Sequence, residues 1–433
     1  MDPFVLGILA ILLMIALTFL GVPIALALLA IGAVGNIYLL GLPQTAMQIH
    51  MITWETGTNF LLIAVPLFVF MGQLVYHTKI ASDLYDFVHK WFGRLPGGLA
   101  VTGVFTSAGF GAVTGSSVAA IATMGIMVMP EMRKYNYNLR LATGSLASAG
   151  TLAIMIPPSI PMVIYGVWTE TSIGKLFIAG VVPGILLAAG FCGMIVARCL
   201  LDPKLGPAGP KYSWKDRLSA LTKLLPTTII FVIVLGGIYG GIFTPTEASA
   251  IGAVGVLAVA LVMKRLTLER LKESLWQTGE ISTMIYAILI GGVMFSRLLV
   301  QTDVTPALVN YIGSLKTSPY TIIFLFSIMF LLLGAVLDTF GMLILTLPLV
   351  FPICRNLGFD PVWFGIYMTV MMEIAMLTPP IGLNVFVMQR VTPEVPLSEI
   401  FRGVLPFVIV CLILVVLIAA LPQLALWLPS TMG

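Results

Sequence analysis

Two short stretches of this 433-residue chain put prolines inside apolar runs. In IMIPPSIPMVIYG (154–166) they are Pro157, Pro158 and Pro161; in TPPIGLN (378–384) they are Pro379 and Pro380. A proline within a helix removes the bond to the carbonyl four residues earlier and costs ~3 kcal/mol or more. The spacing therefore predicts free carbonyls at Ala153 and Ile154, and again at Ala375 and Met376. Backbone oxygens without donors are tolerated in an apolar medium only when buried in protein or lining a cavity. Hard cations take oxygen ligands, so the two breaks read as cation sites. Ser116 and Ser117 in GSSV, and Asp338 and Thr339 in LDTFG, add side-chain oxygens just ahead of new helix starts. A helix N-terminus offers free N–H groups and positive potential, which suit an anion. Helix capping or close packing is the competing role for the serines.

Other polar residues carry weaker signals. Asp338 and Glu373 are the acids placed well inside apolar segments, where either could couple to an ion or a proton. Asn384 can donate and accept, so it could brace the second break or touch substrate. Glu247 follows a proline in FTPTEAS and reads as a charge complementing a helix dipole. His50, His77 and His89 lack metal-ligand spacing. No catalytic residue is assigned: aspartyl chemistry needs two close carboxylates, and Asp338 has only Glu373, on another segment. H-E-x-x-H, G-x-S-x-G and G-x-x-x-x-G-K-[ST] are all absent, which argues against an intramembrane hydrolase and against ATP use. The four cysteines form no C-x-x-C pair and read as packing residues.

What must position these residues is a membrane scaffold. The chain is 59% hydrophobic and 9% charged, with mean hydropathy +1.08, whereas soluble domains are roughly 25% charged. Apolar stretches near 20 residues recur from end to end, predicting an all-α polytopic membrane protein with no nucleic-acid partner. The opening MDPFVLGILAILLMIALTFLG has Asp2 in place of a basic n-region and is read as a first membrane helix.

Landmarks recur about 222 residues apart, the mark of a duplication. IGAVG stands at 31–35 and 251–255, GAV at 111–113 and 334–336. Pro130 answers Pro352, Pro157-Pro158 answers Pro379-Pro380, and Pro183 answers Pro406. The repeats are 1–220 and 221–433. Expected spans are 4–21, 23–41, 60–77, 141–168 and 176–199, then 225–242, 247–263, 281–300, 354–389 and 402–426. An odd number per half would invert one half relative to the other. Segments 100–130 and 319–352 read as re-entrant hairpins, with arms of about 22 Å against a ~30 Å hydrocarbon core. Segments 141–168 and 354–389 read as discontinuous helices. With the N-terminus outside, 18 of the 22 lysines and arginines fall on the inner side, as the positive-inside rule expects. Both termini would then be periplasmic, and 200–223 would be a cytoplasmic linker.

With GSSVAAIATMG, IMIPPSIPMVIYG, TPTEAS and TPPIGLN in this order, the chain resembles the large (M, DctM-like) membrane subunit of tripartite ATP-independent periplasmic (TRAP) transporters over its whole length. The resemblance implies an elevator-type carrier in a bacterial inner membrane, importing a small organic acid anion with co-transported sodium ions. Hairpins and broken helices would form the mobile domain, and the remaining helices the scaffold. It also implies two partners, a small four-helix membrane subunit and a periplasmic substrate-binding protein. Carried onto this sequence, one sodium site would use Ser116 with Ala153, Ile156 and Pro158. The other would use Gly334 with Ala375, Thr378 and Ile381. Glycine is common in such subunits at the positions of Ala153 and Ala375. Ser117, Thr339 and Asn384 are the expected substrate contacts. A stand-alone sodium- or proton-coupled anion carrier is the alternative.

Overall fold

The computed structural model describes residues 2–315, 317–334, 337–380 and 382–432. Among these it is all helical. The chain opens with α1 (Pro3–Phe19), α2 (Ile24–Leu40), α3 (Leu42–Thr58), α4 (Ala64–His77) and α5 (Ala81–Phe92). Then follow α6 (Gly98–Thr114), α7 (Ser117–Lys134), α8 (Leu139–Ala149), the short α9 (Leu152–Met155), α10 (Ile160–Thr169) and α11 (Ile173–Leu201). The second half has α12 (Trp214–Tyr239), α13 (Pro245–Val262), α14 (Leu268–Gln301), α15 (Val304–Ser314), α16 (Pro319–Gly334) and α17 (Thr339–Asn356). It ends with α18 (Pro361–Ala375), α19 (Leu383–Val391), α20 (Leu397–Ala420) and α21 (Gln423–Ser430).

Seven helices or helix groups among the described residues are long and apolar enough to cross a membrane, and an eighth if the bent α12 is counted. Several boundaries differ from the sequence reading. Both α6 and α7 outrun the expected 100–130 segment; α7 has 18 residues, about 27 Å at the helical rise. Residues 354–356 finish α17, and Pro361 at the first turn starts the next helix, capped by Asp360 Oδ1 on the N–H groups of Val362 (2.7 Å) and Trp363 (3.1 Å). The linker shortens to 202–213 because a Ser213–Asp216 capping box starts α12 there. That linker is pinned, not loose: Gly97 N–H donates to the Gly206 carbonyl (2.9 Å), Asn138 N–H to Leu205 (3.0 Å) and Gly209 N–H to Gly93 (2.8 Å).

The two IGAVG copies explain how the helices interlock. Gly32 lets α2 meet the backbone of α14, where an added Cβ would stand 2.9 Å from the Met294 carbonyl carbon. Asn36 reinforces that seam, donating to the Met294 carbonyl at 3.3 Å. Gly252 in the second copy lets α13 approach α4, where a Cβ would stand 2.6 Å from Met71 Sδ. Lipid gives no hydrophobic drive between helices, so small residues that permit close approach set such seams. The broken segment Leu139–Thr169 lies at the centre of the molecule, with 94% of its most apolar 18-residue stretch buried, against 44% in α20, which faces outward on its other side.

Candidate functional site

The first break is built by chain chemistry at each step. Helix α8 ends at Ala149 and α9 adds a single turn. Ile156 is then extended (φ −85°, ψ 124°), Pro157 and Pro158 follow, and α10 restarts after Ser159. The carbonyls of Ala153 and Ile154 accept no bond from another element among the described residues, as the proline spacing predicts. The second break departs from that expectation. The Met376 carbonyl accepts the Asn384 N–H at 3.1 Å, and the Ala375 carbonyl accepts long bonds from the Thr378 N–H and hydroxyl, both 3.4 Å. Gly382, at φ +58°, turns the chain back so that Asn384 can reach Met376; a side chain there would be strained. The peptide bonds Pro157–Pro158 and Pro379–Pro380 are both cis.

Each break is met by a helix junction. Between α6 and α7, Gly115 takes φ +60° and donates to the Gly111 carbonyl at 2.7 Å. Ser116 then caps α7, its Oγ accepting the Ala119 N–H at 3.4 Å, and the helix starts at Ser117, one residue before the sequence reading put it. A Cβ at Gly115 would lie 3.2 Å from the Pro158 carbonyl oxygen. One turn earlier, a Cβ at Gly111 would overlap Ala153. Between α16 and α17, Asp338 Oδ1 caps the Gly341 N–H at 2.9 Å, and a Cβ at Gly334 would overlap the Ala375 Cβ. The alanines at 153 and 375 are thus housed by glycines on the facing helices.

These four pieces enclose a cavity of about 450 Å³. Thr114 to Ala119 and Asp338 to Phe340 line it from the two junctions, and Ile154, Ile160, Pro161, Met376 and Leu383 from the two breaks. The opposite wall is α4 and α14, contributing Gln73, Tyr76, Gln277, Ile281 and Met284. Among the described residues its polar side chains are hydroxyls, two amides and the Asp338 carboxylate, with no lysine, arginine or histidine. One turn beyond the glutamines, His77 Nδ1 meets Glu273 at 3.1 Å. The first turn of α7 leaves N–H groups without helical partners, so the cavity can offer backbone donors, hydroxyls and amides to an anionic or polar solute.

Ser116, Ser117, Asp338 and Thr339 line this cavity as the sequence groups them. Ala153, Pro158, Gly334 and Ala375 lie behind it at the junction–break contacts, and Ile156 packs towards Gly184. Thr378 stays beside the Ala375 carbonyl; Ile381 lies outside the described residues. Asn384 does not line the cavity: it is fully buried, its backbone bracing the break and its side-chain amide unpartnered. Glu373 is likewise fully buried away from the cavity. Gln73 and Gln277 went unread in the sequence, although a glutamine within the span 60–77 is itself a polar signal. Glu247 forms a capping box with Thr244, its carboxylate accepting the Thr244 N–H at 2.8 Å, the role its position suggested.

The family model for the DctM component of tripartite ATP-independent periplasmic transporters matches residues 11–424. The chain belongs to that family. It is 36% identical to the C4-dicarboxylate TRAP transporter large permease protein DctM of Pseudomonas aeruginosa, covering 90% of this chain and 91% of that protein. It is 32% identical to the ectoine/5-hydroxyectoine TRAP transporter large permease protein UehC of Ruegeria pomeroyi, covering 96% of each. The fold is similar to the YdaH transporter of Alcanivorax borkumensis, with a TM-score of 0.61 at 14% identity over 99% of this chain and 98% of that one. This DctM-family chain is therefore a multi-pass membrane protein and a large permease subunit of a TRAP transporter.

Proposed function

We propose that this subunit imports a small organic acid anion across a bacterial inner membrane, coupled to sodium and by an elevator movement. The observation that carries the reading is the single cavity bounded by both junctions and both breaks on one side and by α4 and α14 on the other. Solute held there touches two bodies, one of which can slide past the other. Helix pairs α6–α7 and α16–α17 act as re-entrant hairpins, and α8–α10 and α18–α19 as the discontinuous helices of two inverted repeats; α7 and α17, each 18 residues long, correspond in that duplication. These pieces form the mobile domain, and α2, α4, α13 and α14 belong to the scaffold. Both termini are then periplasmic.

One sodium ion binds among Ser116 and the backbone of Ala153, Ile156 and Pro158, and a second among Gly334, Ala375, Thr378 and Ile381. Main-chain oxygens freed at a helix break are suited to a hard ion because they cannot be protonated or moved without moving the helix. Ser117 and Thr339, with the first-turn N–H groups of α7 and α17, receive the anion. A small four-helix membrane subunit completes the scaffold, and a periplasmic substrate-binding protein delivers the solute. The test is uptake into proteoliposomes holding both membrane subunits, with the loaded binding protein outside. An inward sodium gradient accelerates uptake if the reading is right; indifference to sodium refutes the coupling. Full uptake by this chain alone would instead favour a stand-alone carrier.

A further inference from the structure

Away from the substrate cavity, the start of α12 sets a held cation above an apolar hollow. The Arg217 guanidinium carbon lies 5.2 Å from the Trp214 ring centre and 5.9 Å from that of Trp91. The two indoles meet edge to face at 6.0 Å. Arg217 Nε–H donates to the Lys90 carbonyl at 3.2 Å, which fixes the plane of the group. Its terminal nitrogens have no hydrogen-bond partner among the described residues, and no carboxylate there pairs with it. The acids closest in sequence are already engaged: Asp86 with Lys90 at 2.7 Å, and Asp216 in the Ser213 capping box. Arg94, just past the end of α5, is exposed and likewise in no ion pair among the described residues.

Two helical turns on from Arg217, Leu224 backs a cavity of about 120 Å³ between α12 and helices α4, α5 and α6. Val75, Phe110 and Val113 are its buried floor, and Thr228 and Phe231 stand at its more exposed rim. Thr228, its only polar side chain among the described residues, donates to the Leu224 carbonyl at 3.3 Å. Water placed there would find no side-chain partner, so the hollow suits hydrocarbon. An arginine fork, by contrast, matches a phosphate, and tryptophans beside it mark the membrane interface. Arg217 and Leu224 are about 10 Å apart along the helix, a little more than the roughly 5–8 Å headgroup layer of one leaflet. A phosphate on the guanidinium therefore leaves an acyl chain level with the cavity.

We propose that an anionic phospholipid of the phosphatidylglycerol type binds at this edge, its phosphate on Arg217 and one acyl chain in the hollow. A zwitterionic headgroup would bring its own ammonium towards Arg217 and Arg94, so net negative charge is favoured. In the topology proposed above, this end of α12 is cytoplasmic. There α6 is mobile and α4 is scaffold, so the acyl chain lies across the sliding boundary and uptake follows its occupancy. That consequence rests on the elevator reading; the binding does not.

The experiment incubates the purified complex of both membrane subunits with phosphatidylglycerol or phosphatidylcholine and counts retained lipid by native mass spectrometry. Wild type should keep one phosphatidylglycerol more than Thr228→Phe, whose ring fills the hollow from its exposed rim. Arg217→Gln should weaken phosphatidylglycerol about fivefold, as roughly 1 kcal/mol for one surface cation requires, with phosphatidylcholine unchanged. Equal phosphatidylglycerol counts in wild type and Thr228→Phe overturn the site, and that is also the outcome if the small subunit covers this edge. Equal weakening of both lipids in Arg217→Gln overturns the headgroup assignment. If Arg217→Gln does not fold, the Thr228→Phe count decides alone. Counting lipid needs no transport, so its failure leaves the proposed function standing. Lipid bound in wild type, but uptake indifferent to phosphatidylglycerol in the vesicles, would instead remove the sliding boundary from α6.

Discussion

Gly111→Ala puts the contact between the first junction and the first break under direct test. The residue lies in the last turn of α6, so alanine there should gain up to ~1 kcal/mol of helix propensity. Its new methyl, however, would occupy the space of the Ala153 Cα and Cβ, on an element that is itself fully buried. Overpacking of this kind costs about 1–3 kcal/mol. The net expectation is a loss of up to about 2 kcal/mol, a factor of up to ~30 in an equilibrium. Gly193, in the long helix α11, is the internal control, because nothing lies within 4 Å of a Cβ placed there. Gly193→Ala should be neutral or mildly stabilising.

The decisive variant is the exchange Gly111→Ala/Ala153→Gly, which moves one methyl across the contact without changing its volume. Chemical unfolding midpoints of the purified complex, with and without sodium, would give the four corners of a double-mutant cycle. Residues in contact show coupling of about 0.5–3 kcal/mol, so the exchange should recover most of what Gly111→Ala loses. Gly334→Ala with Ala375→Gly should behave in the same way in the second half. If the two single changes simply add, or if Gly111→Ala resembles Gly193→Ala, the junction does not rest on the break and the site geometry described here is wrong.

Ser116→Ala removes only a long cap at 3.4 Å, so it should cost under about 1 kcal/mol while raising the sodium concentration for half-maximal uptake several-fold. Asp338→Asn keeps an N-cap residue and deletes the only charged side chain described in the cavity wall; expression should hold, and a changed uptake rate in liposomes would assign the charge a role beyond capping. Asp83→Asn weakens the paired bonds from Arg265, at 2.5 and 3.1 Å, that fasten α5 to the α13–α14 turn. It should destabilise the complex by about 1–3 kcal/mol, read as a lower unfolding midpoint, with sodium dependence unchanged.

Sequence reading reached the breaks because proline acts locally: removing one N–H frees one identifiable carbonyl. The free carbonyl it expected at Ala153 takes no backbone bond among the described residues, whereas the one at Ala375 accepts long bonds from Thr378. It did not foresee that the second break is largely repaired, because the repair depends on Gly382 turning the chain until Asn384 comes within reach of Met376. Nor could it place the Asn384 side chain, whose direction follows from that same turn. The cavity wall was harder to read than its floor. Gln73 and Gln277 sit on different helices, far apart in the sequence, and come to line one cavity only through the packing of α4 against α14. The helix α3 and the early turns of α14 were passed over for a related reason, since their charges and polar residues dilute the hydropathy that marks a span.

The division of labour between backbone and side chain in this cavity has a consequence for how its binding properties can change. At the breaks the proposed ion ligands are mostly main-chain oxygens, and the position of that backbone is set by prolines and by glycine–alanine contacts such as Gly111–Ala153 and Gly334–Ala375. Almost any substitution there moves the whole junction, so the floor tolerates little variation. Gln73, Tyr76, Gln277 and Met284 instead project from α4 and α14, helices held by remote seams at Gly32, Asn36 and Gly252. Exchanging those side chains alters the donors and the volume offered to a solute without touching a proline or a cap. Solute preference should therefore be adjustable from the α4–α14 wall, leaving the proposed sodium sites at the junctions and breaks unchanged.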